Sequence, residues 1–553
     1  MKRKVIKKVS ILLSALLLTQ AFLTGCSSKG SSAKVDESGN PVIEIDENGK
    51  VNGLMNATGL PIVDNNGDYT FSIFVDNSTP VENQFIWPVI EEQTNVKVDV
   101  KQYAYEIAKE KYGLALSSGD YPDAIGGWVL SSNDILKYGV DQKVFIPLEK
   151  YFEEFAPNIM EILELPGVRE TMTAPDGHIY SIPYVIEAPK VDFSPYINVK
   201  WLEKLGLEMP TNTEEFREVL RSFKKQDANG NGDPNDEIPF SADPNNRNLL
   251  YLAGWFGLPM KSDGFTMIDG KLEFGATREE FKEFIKYMAS LNAEGLLDPE
   301  LFTQDLATWK GKGNQNLYGV SIAYGAGDFA QVLPNTVPDH RPLPVLSSPG
   351  VDNPKWLAKT YGTDVLKNQV VVTDKAEHPE IIVRWWDNFF EVDNSFQALN
   401  GPEGVTYEKL GDKHYKMLDR STLTPEEDEK YSWANMFTQS LPKYIPTDIV
   451  VEHVIPPVYE EKNILDELYE PYFVGNDGNG NYDIIPSYWV KPENAAKLSE
   501  YSVSITDYLE QKMAVWISGQ ADIDKEWDEY LAQLDKLGLQ DYIKIRQDAI
   551  GQN

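Results

Sequence analysis

The sequence predicts an α/β protein with more than one folded unit. From about residue 69 onward, β-rich apolar runs alternate with amphipathic runs of helical period. The length of 553 residues exceeds what one hydrophobic core usually organises. The composition, 42% hydrophobic and 25% charged, is that of an ordinary soluble globular chain.

The elements read in order. "YTFSIFVDN" from Tyr69 alternates and is a strand. "PVENQFIWPVIEEQTNVKVDVKQY" reads helix, turn, strand. "EIAKEKYGLALSSGDYPDAIGGW" is a helix followed by a short apolar strand at Ala124-Ile125. Strand–helix–strand alternation argues for a mostly parallel sheet, and ligands of such sheets sit at the carboxyl ends of strands. Gly126, Gly127 and Trp128 fall at such an end, with backbone room beside the indole. Asp176-Gly177 is a turn and Ile179 to Pro183 a strand. "SPYINVKWLEKLGL" is a strand leading into a helix stopped by Gly206. In "PTNTEEFREVLRSFKK", Thr213, Glu214 and Glu215 mark a helix start, and Phe216, Val219, Leu220 and Phe223 recur at helical spacing. Trp385 and Trp386 on "PEIIVRWWDNFFEV" are expected in the core. Trp516, Trp527 and Tyr530 are expected to pack the C-terminal helices together.

Charge excludes one class of partner. The net charge is -35, whereas nucleic acid binding needs clustered Lys and Arg. No H-E-x-x-H pair, G-x-S-x-G elbow or G-x-x-x-x-G-K-[ST] loop is present. The 86 acidic residues make any particular carboxylate pair uninformative about glycoside hydrolysis.

The first residues read as an address. Lys2, Arg3, Lys4, Lys7 and Lys8 precede the apolar stretch "VSILLSALLLTQAFLTG", which is short for a membrane span. Leu23-Thr24-Gly25-Cys26 resembles the lipobox of bacterial lipoproteins, and Cys26 is the one cysteine of the chain. The resemblance implies a signal peptide over 1–25, a lipidated Cys26 and anchoring at the extracellular face of a cell membrane. Residues 26–67, rich in Ser, Gly, Asp and Asn, are expected to be a flexible tether.

Several segments in fixed order carry a wider resemblance. "SGDYPDAI", "DGHIYSIPY" and "YINVKWLEKLGLEMPTNTEEFREVLRSFK" are followed by "FTQDLATWKGKG", "GPEGVTYE" and the tail "DYLEQKMAVWISGQADIDKEWDEYLAQLDKLGLQDYIKIRQ". Together these resemble the extracellular solute-binding proteins of carbohydrate ABC importers. The likeness is strongest to the Gram-positive lipoprotein type, which is similar to alginate- and oligosaccharide-binding proteins. The resemblance implies a two-lobed periplasmic-binding-protein type II fold with interleaved lobes and a helical C-terminal region. Lobe 1 is expected over 68–190 plus 340–405, and lobe 2 over 191–339 plus 406–553. "YVIEAPK", "NTVPDHRP" and the stretch after "GPEGV" would then be the hinges. The implied function is capture of an oligosaccharide in the cleft by a monomer and delivery to permease subunits. A peptide receptor of the same fold and a secreted carbohydrate-active enzyme are the alternatives.

"DANGNGDPNDE" from Asp227 follows the EF-hand rule at first. Asp227, Asn229 and Asn231 offer side-chain oxygens, Gly232 allows the sharp turn, and Asp233 offers a carbonyl. The loop departs at position 12, which is Ile238, so Asp236 and Glu237 must end the oxygen set. The resembled alginate-binding proteins hold a structural calcium in such a loop, and a structural Ca²⁺ is expected here. "NDGNGNYD" at Asn476 to Asp483 reads as a turn.

Aromatic faces stack on sugar rings while carboxylates and amides read hydroxyls. The candidate cleft residues are therefore Trp128, Tyr184, Glu187, Arg247, Trp255, Tyr324, Asp328, Glu403 and Trp433, all expected at strand ends or in loops after strands.

Overall fold

The computed structural model describes residues 43–552 apart from 78–79, 166, 188–189, 331–338, 361–362, 433–440, 447 and 453–459. Cys26 and Trp433 lie outside the described residues. The strands of the two main sheets are, in chain order, β1 (Tyr69–Asp76), β2 (Val96–Tyr103), β3 (Ala124–Gly126), β4 (Ser181–Glu187), β5 (Ser194–Asn198), β6 (Ile238–Ala242), β7 (Tyr318–Ala323), β8 (His340–Pro342) and β9 (Thr363–Val372). The first sheet runs β2-β1-β3-β9-β4 and the second β8-β5-β7-β6. β1 is parallel to β2 and β3, while β9 lies antiparallel between β3 and β4.

Each sheet has its own core, so the protein is two-lobed and α/β. Phe71, Ile73, Ile182, Trp385 and Trp386 are buried in the first lobe. Tyr196, Phe216, Phe240, Trp255 and Trp356 are buried in the second. The helix Thr213–Lys225 buries Phe216, Val219, Leu220 and Phe223, as its spacing predicts. Its cap is Asn212, one residue before the expected start, whose side chain accepts from the Glu214 and Glu215 amides. The helices Pro492–Ile517, Ile523–Lys536 and Leu539–Ala549 form the C-terminal region of the second lobe. Trp516 and Tyr530 pack there at 5.0 Å between ring centroids.

Two expected boundaries are corrected. The tether does not extend to residue 67. Lys50–Val51 and Met55–Asn56 form a hairpin, and Val51, Met55, Ile62 and Val63 are fully buried against the first lobe. The Arg384 guanidinium donates to the carbonyls of Asn56 and Gly59, and the Ile62 amide donates to Thr94 O at 3.0 Å. The return to the first lobe does not begin at 340 either. β8 pairs with β5, and Leu343, Val345, Trp356 and Ala358 belong to the second core. The chain re-enters the first lobe at β9.

The third passage is also displaced from its expected place after 405. Tyr407 and Tyr415 pack on Phe396 at 4.8 and 3.9 Å, and Leu441 lies in the first core. Leu465, Tyr469 and Phe473 lie in the second. The described residues among 407–432 and 441–452 therefore stand with the first lobe.

Candidate functional site

The second sheet gathers chemistry at one edge. Ser194 of β5 faces Ala323 of β7, and Ala242 of β6 faces Ile322 of β7. The residues before β5 and those after β6 and β7 therefore emerge together. They are Asp192 and Phe193, Asp243, and Tyr324 to Asp328. For β6 and β7 this is the carboxyl end, where open α/β sheets bind ligands.

Aromatic rings line this edge. Phe193 lies 6.3 Å from Tyr251 and 6.0 Å from Tyr324, and Tyr251 stacks on Trp356 at 6.2 Å. Tyr324 is 40% exposed, so one face is open to a ligand. The Tyr251 hydroxyl donates to Asp192 Oδ2 at 2.7 Å. The Asn248 amide donates to both oxygens of Asp243 at 2.9 and 3.1 Å. The Gly325 amide donates to Asp328 at 3.0 Å. Burial pushes Asp243 up to about 6, with the Asp328 charge adding to it.

Two lysines at this edge, Lys359 and Lys261, have carboxylate neighbours. Lys359 Nζ lies 3.1 Å from Asp364 Oδ2 and 5.6 Å from the Tyr324 ring centroid. Burial pulls Lys359 down, but Asp364 and Asp192 outweigh it and hold the ammonium above its usual range. Lys261 is lowered by burial in spite of Asp192 and Asp263 beside it. The first lobe contributes Tyr184 of β4, whose ring lies 4.5 Å below Lys443 Nζ. Burial raises the Tyr184 hydroxyl, with Asp364 and Tyr324 adding to the effect, so this side chain senses both lobes.

Tyr184, Tyr324 and Asp328 of the expected set thus join one cluster. Trp128 stands 47% exposed at the carboxyl end of β3. It follows Gly127, where a Cβ would lie 1.8 Å from Asp76 Oδ1. Glu187 ends β4 opposite Thr363. Two residues are corrected. Trp255 is 1% exposed inside the helical stretch Asn246–Phe256 and packs on Phe216 at 5.4 Å, so it is core. Glu403 is exposed in the turn that bridges to Tyr407, and no contact links it to the cluster among the described residues. Arg247 points to Glu510 of the C-terminal helix, 3.7 Å away. Sequence reasoning missed Asp192, Phe193, Asp243, Asn248, Tyr251, Lys261, Lys359 and Asp364. Only the position of Asp192-Phe193 just ahead of a strand could have flagged any of them.

The Asp227 loop is a ladder of side-chain-to-backbone turns. Asp227 accepts from the Gly230 amide at 2.8 Å, Asn229 from Asn231 at 3.0 Å, Asn231 from Asp233 at 2.8 Å and Asp233 from Asn235 at 3.1 Å. The Asn229 and Asn231 amides donate to Asp236 at 3.0 and 2.6 Å. Glu237 is 8% exposed; Oε1 accepts from the Ala228 amide at 2.7 Å, whereas Oε2 is buried without a hydrogen-bond partner. Burial raises its carboxyl. Among the described residues no group of three or more His, Cys, Asp or Glu is gathered as a metal site. The stretch Asn476 to Asp483 is a turn, with Asp477 accepting from Asn479 and Asn481.

Comparison with known proteins gives one consistent result. Residues 90–325 match the family model described as bacterial extracellular solute-binding protein. The chain is 30% identical to the fructooligosaccharide ABC transporter substrate-binding protein FusA of Streptococcus pneumoniae serotype 4, over 99% of this chain and 98% of the relative. The solved structure of S. pneumoniae FusA with kestose superposes with a TM-score of 0.74 at 30% identity, over 87% of this chain and 98% of that one. A FusA EF-hand mutant in complex with fructo-nystose gives the same TM-score of 0.74 at 29% identity and the same coverage.

The raised carboxyl of Asp243 has a consequence for stability. Between about pH 4 and about 6 the folded chain keeps a proton on Asp243 that the unfolded chain releases. The stability contribution of this group therefore falls as pH rises through that window. Asp243→Asn is expected to stabilise relative to the parent more at pH 7.5 than at pH 4.5, read as the difference in Tm. An equal effect at both pH values would contradict the assignment.

Proposed function

The chain belongs to the bacterial extracellular solute-binding proteins, and we propose that it captures an uncharged oligosaccharide between its lobes for delivery to an ABC permease. The observation that carries this reading is the edge cluster: the open face of Tyr324 beside carboxylates and lysines that already have partners. Sugars offer C–H faces to rings and hydroxyls to paired polar groups. A uronate would need a cation free to receive its carboxylate. Lys359 has Asp364, Lys261 has the charges of Asp192 and Asp263 nearby, Arg247 has Glu510, and Lys443 is buried and donates to the Leu441 carbonyl. The similarity to FusA supports a fructooligosaccharide as the first ligand to test.

In this reading Tyr324 and Tyr184 stack on sugar rings, one from each lobe. Asp192, Asp243 and Asp364 accept hydroxyl protons, and Lys359 donates. Trp128, Glu187, Asp328 and Trp433 would complete the cleft. Lobe closure on the bound sugar would be the state the permease recognises, because the ligand favours the closed form. The sugar is bound and released intact. Cys26 would carry the lipid that holds the chain at the extracellular face of a Gram-positive cell membrane.

A structural Ca²⁺ would sit in the Asp227 loop. Asp227, Asn229, Asn231, Asp236 and Glu237 would supply side-chain oxygens and Asp233 its carbonyl. Two features support it: an all-oxygen donor set, and a buried Glu237 oxygen without a hydrogen-bond partner. When bound, the ion would neutralise carboxylates and brace the second lobe.

Calorimetric titration should give saturable binding of kestose and none of trigalacturonate. Tyr324→Ala should weaken kestose about tenfold, and the sugar should be recovered uncleaved. Binding of the uronate or of peptides alone would overturn the ligand class. EDTA should lower the Tm and Ca²⁺ restore it in the parent, with Glu237→Gln insensitive to both; a parent indifferent to both has no calcium brace. Cys26→Ala should shift the chain from the membrane fraction to the medium, and retention in the membrane would contradict lipid anchoring.

A further inference from the structure

The segment just ahead of the long C-terminal helix leaves the second lobe, touches the first, and returns. At its start Ile484 bridges Ala358 and Ile485 is buried in the second core. Five residues on, Trp489 packs against the first-lobe cluster that contains Phe74, Tyr180 and Val371. Its indole N–H donates to the Thr171 carbonyl of that lobe at 2.8 Å. The helix Pro492–Ile517 then packs along the second-lobe helix Glu279–Ala293. Residues 484–490 are thus a strap across the seam between lobes.

One side chain of the inter-lobe ribbon holds the strap. Lys367 lies where the pairing of β9 with β4 breaks register, between Leu366 and Val370. Its ammonium donates to the Tyr488 carbonyl at 2.5 Å and lies 4.1 Å from the centre of the Trp489 ring. Lys367 is 6% exposed and forms no ion pair among the described residues. A buried ammonium held by one carbonyl and one aromatic face depends on both staying in place. On the far side Tyr488 lies 5.4 Å from the Arg546 guanidinium, which pairs with Asp263 at 2.6 Å.

The seam around the strap is not filled. About 440 Å³ of open space lies between Glu170, Thr171 and Pro175 of the first lobe and Lys491, Ile545 and Asp548 of the C-terminal region. Tyr488 and Trp489 of the strap line this opening, so the Lys367 contact lies at its wall.

We infer that residues 484–490, fastened by Lys367 to the break in the β4–β9 ribbon, form a latch that sets the angle between the lobes. Lys367, Tyr488 and Trp489 are then positioning residues for ligand capture. They act through lobe geometry and do not touch the sugar cluster. A latch that favours the capture-ready angle spares the ligand the cost of selecting it from a broader ensemble.

The latch is tested on the mature full-length chain by small-angle scattering without ligand and by kestose titration. Lys367→Met keeps the length of the side chain and removes the charge. It should enlarge the radius of gyration of the unliganded chain and weaken kestose binding about five- to tenfold. Lys367→Arg, which keeps a donor and a cation over the ring, should recover much of both. Lys312→Met removes another lysine with a buried partner, Asp298, but away from the seam; it should lower the Tm without enlarging the unliganded chain. Trp489→Leu should reproduce the Lys367→Met shift, and it carries the test if Lys367→Met does not fold. Parent-like scattering from Lys367→Met and Trp489→Leu would overturn the latch. The ligand arm rests on the sugar reading above. If kestose does not bind the parent, that reading fails while the scattering still decides the latch.

Discussion

Two of the three passages between the lobes are hydrogen-bonded to each other. β4 leaves the first lobe at Glu187, and β9 enters it at Thr363, directly opposite. A paired ribbon twists and bends but does not stretch, because extension would break several backbone hydrogen bonds at once. Both strands also belong to the first sheet, so the joint is continuous with a rigid core. The ribbon is therefore one shared bending element for two of the passages. The ligand cluster lies beside it, with Tyr184 and Asp364 on the ribbon itself.

The cluster combines the open ring of Tyr324 with paired charge. Asp192, Asp243, Asp328 and Asp364 gather at the edge; Lys359 and Lys261 have carboxylate neighbours, whereas Lys443, over the Tyr184 ring, donates to the Leu441 carbonyl. Such a site offers donors and acceptors already oriented by their partners, so an uncharged polyol pays little reorganisation on binding. In the proposed reading a second uncompensated carboxylate would be disfavoured here, which would give discrimination against acidic glycans. The loop at Asp227 belongs to the same lobe but does different work. It closes a long excursion between the helix Thr213–Lys225 and β6, and its buried Glu237 ties the end of the loop back to Ala228.

The α/β class was legible because period is a local property. β1 alternates, and the helix Thr213–Lys225 carries an apolar stripe that any packing partner must cover. Trp385 and Trp386 read as core because their helix buries nearly its whole surface. What was not legible depended on distant partners. The hairpin at Lys50 to Asn56 hides Val51 and Met55 among polar residues, and only the groove beside Arg384 makes that segment fold. "NTVPDHRP" has the composition of a linker, yet His340–Pro342 adds an edge strand to the second sheet, where proline is tolerated. Trp255 was expected at a strand end or in a loop after one, where a ligand could reach it. The space beside it is filled by protein, since a Cβ at Gly254 would lie 2.1 Å from the Lys355 carbonyl. The acids of the cluster had no signature among 86 others until the register of β5, β6 and β7 brought their flanking loops to one edge.

The most direct test is a crystal structure of the chain grown with kestose. The account predicts sugar density stacked on Tyr324, with hydroxyls within hydrogen-bond reach of Asp192, Asp364 or Lys359 and with Tyr184 closing from the first lobe. Density bound elsewhere, with the face of Tyr324 left to solvent, would contradict it.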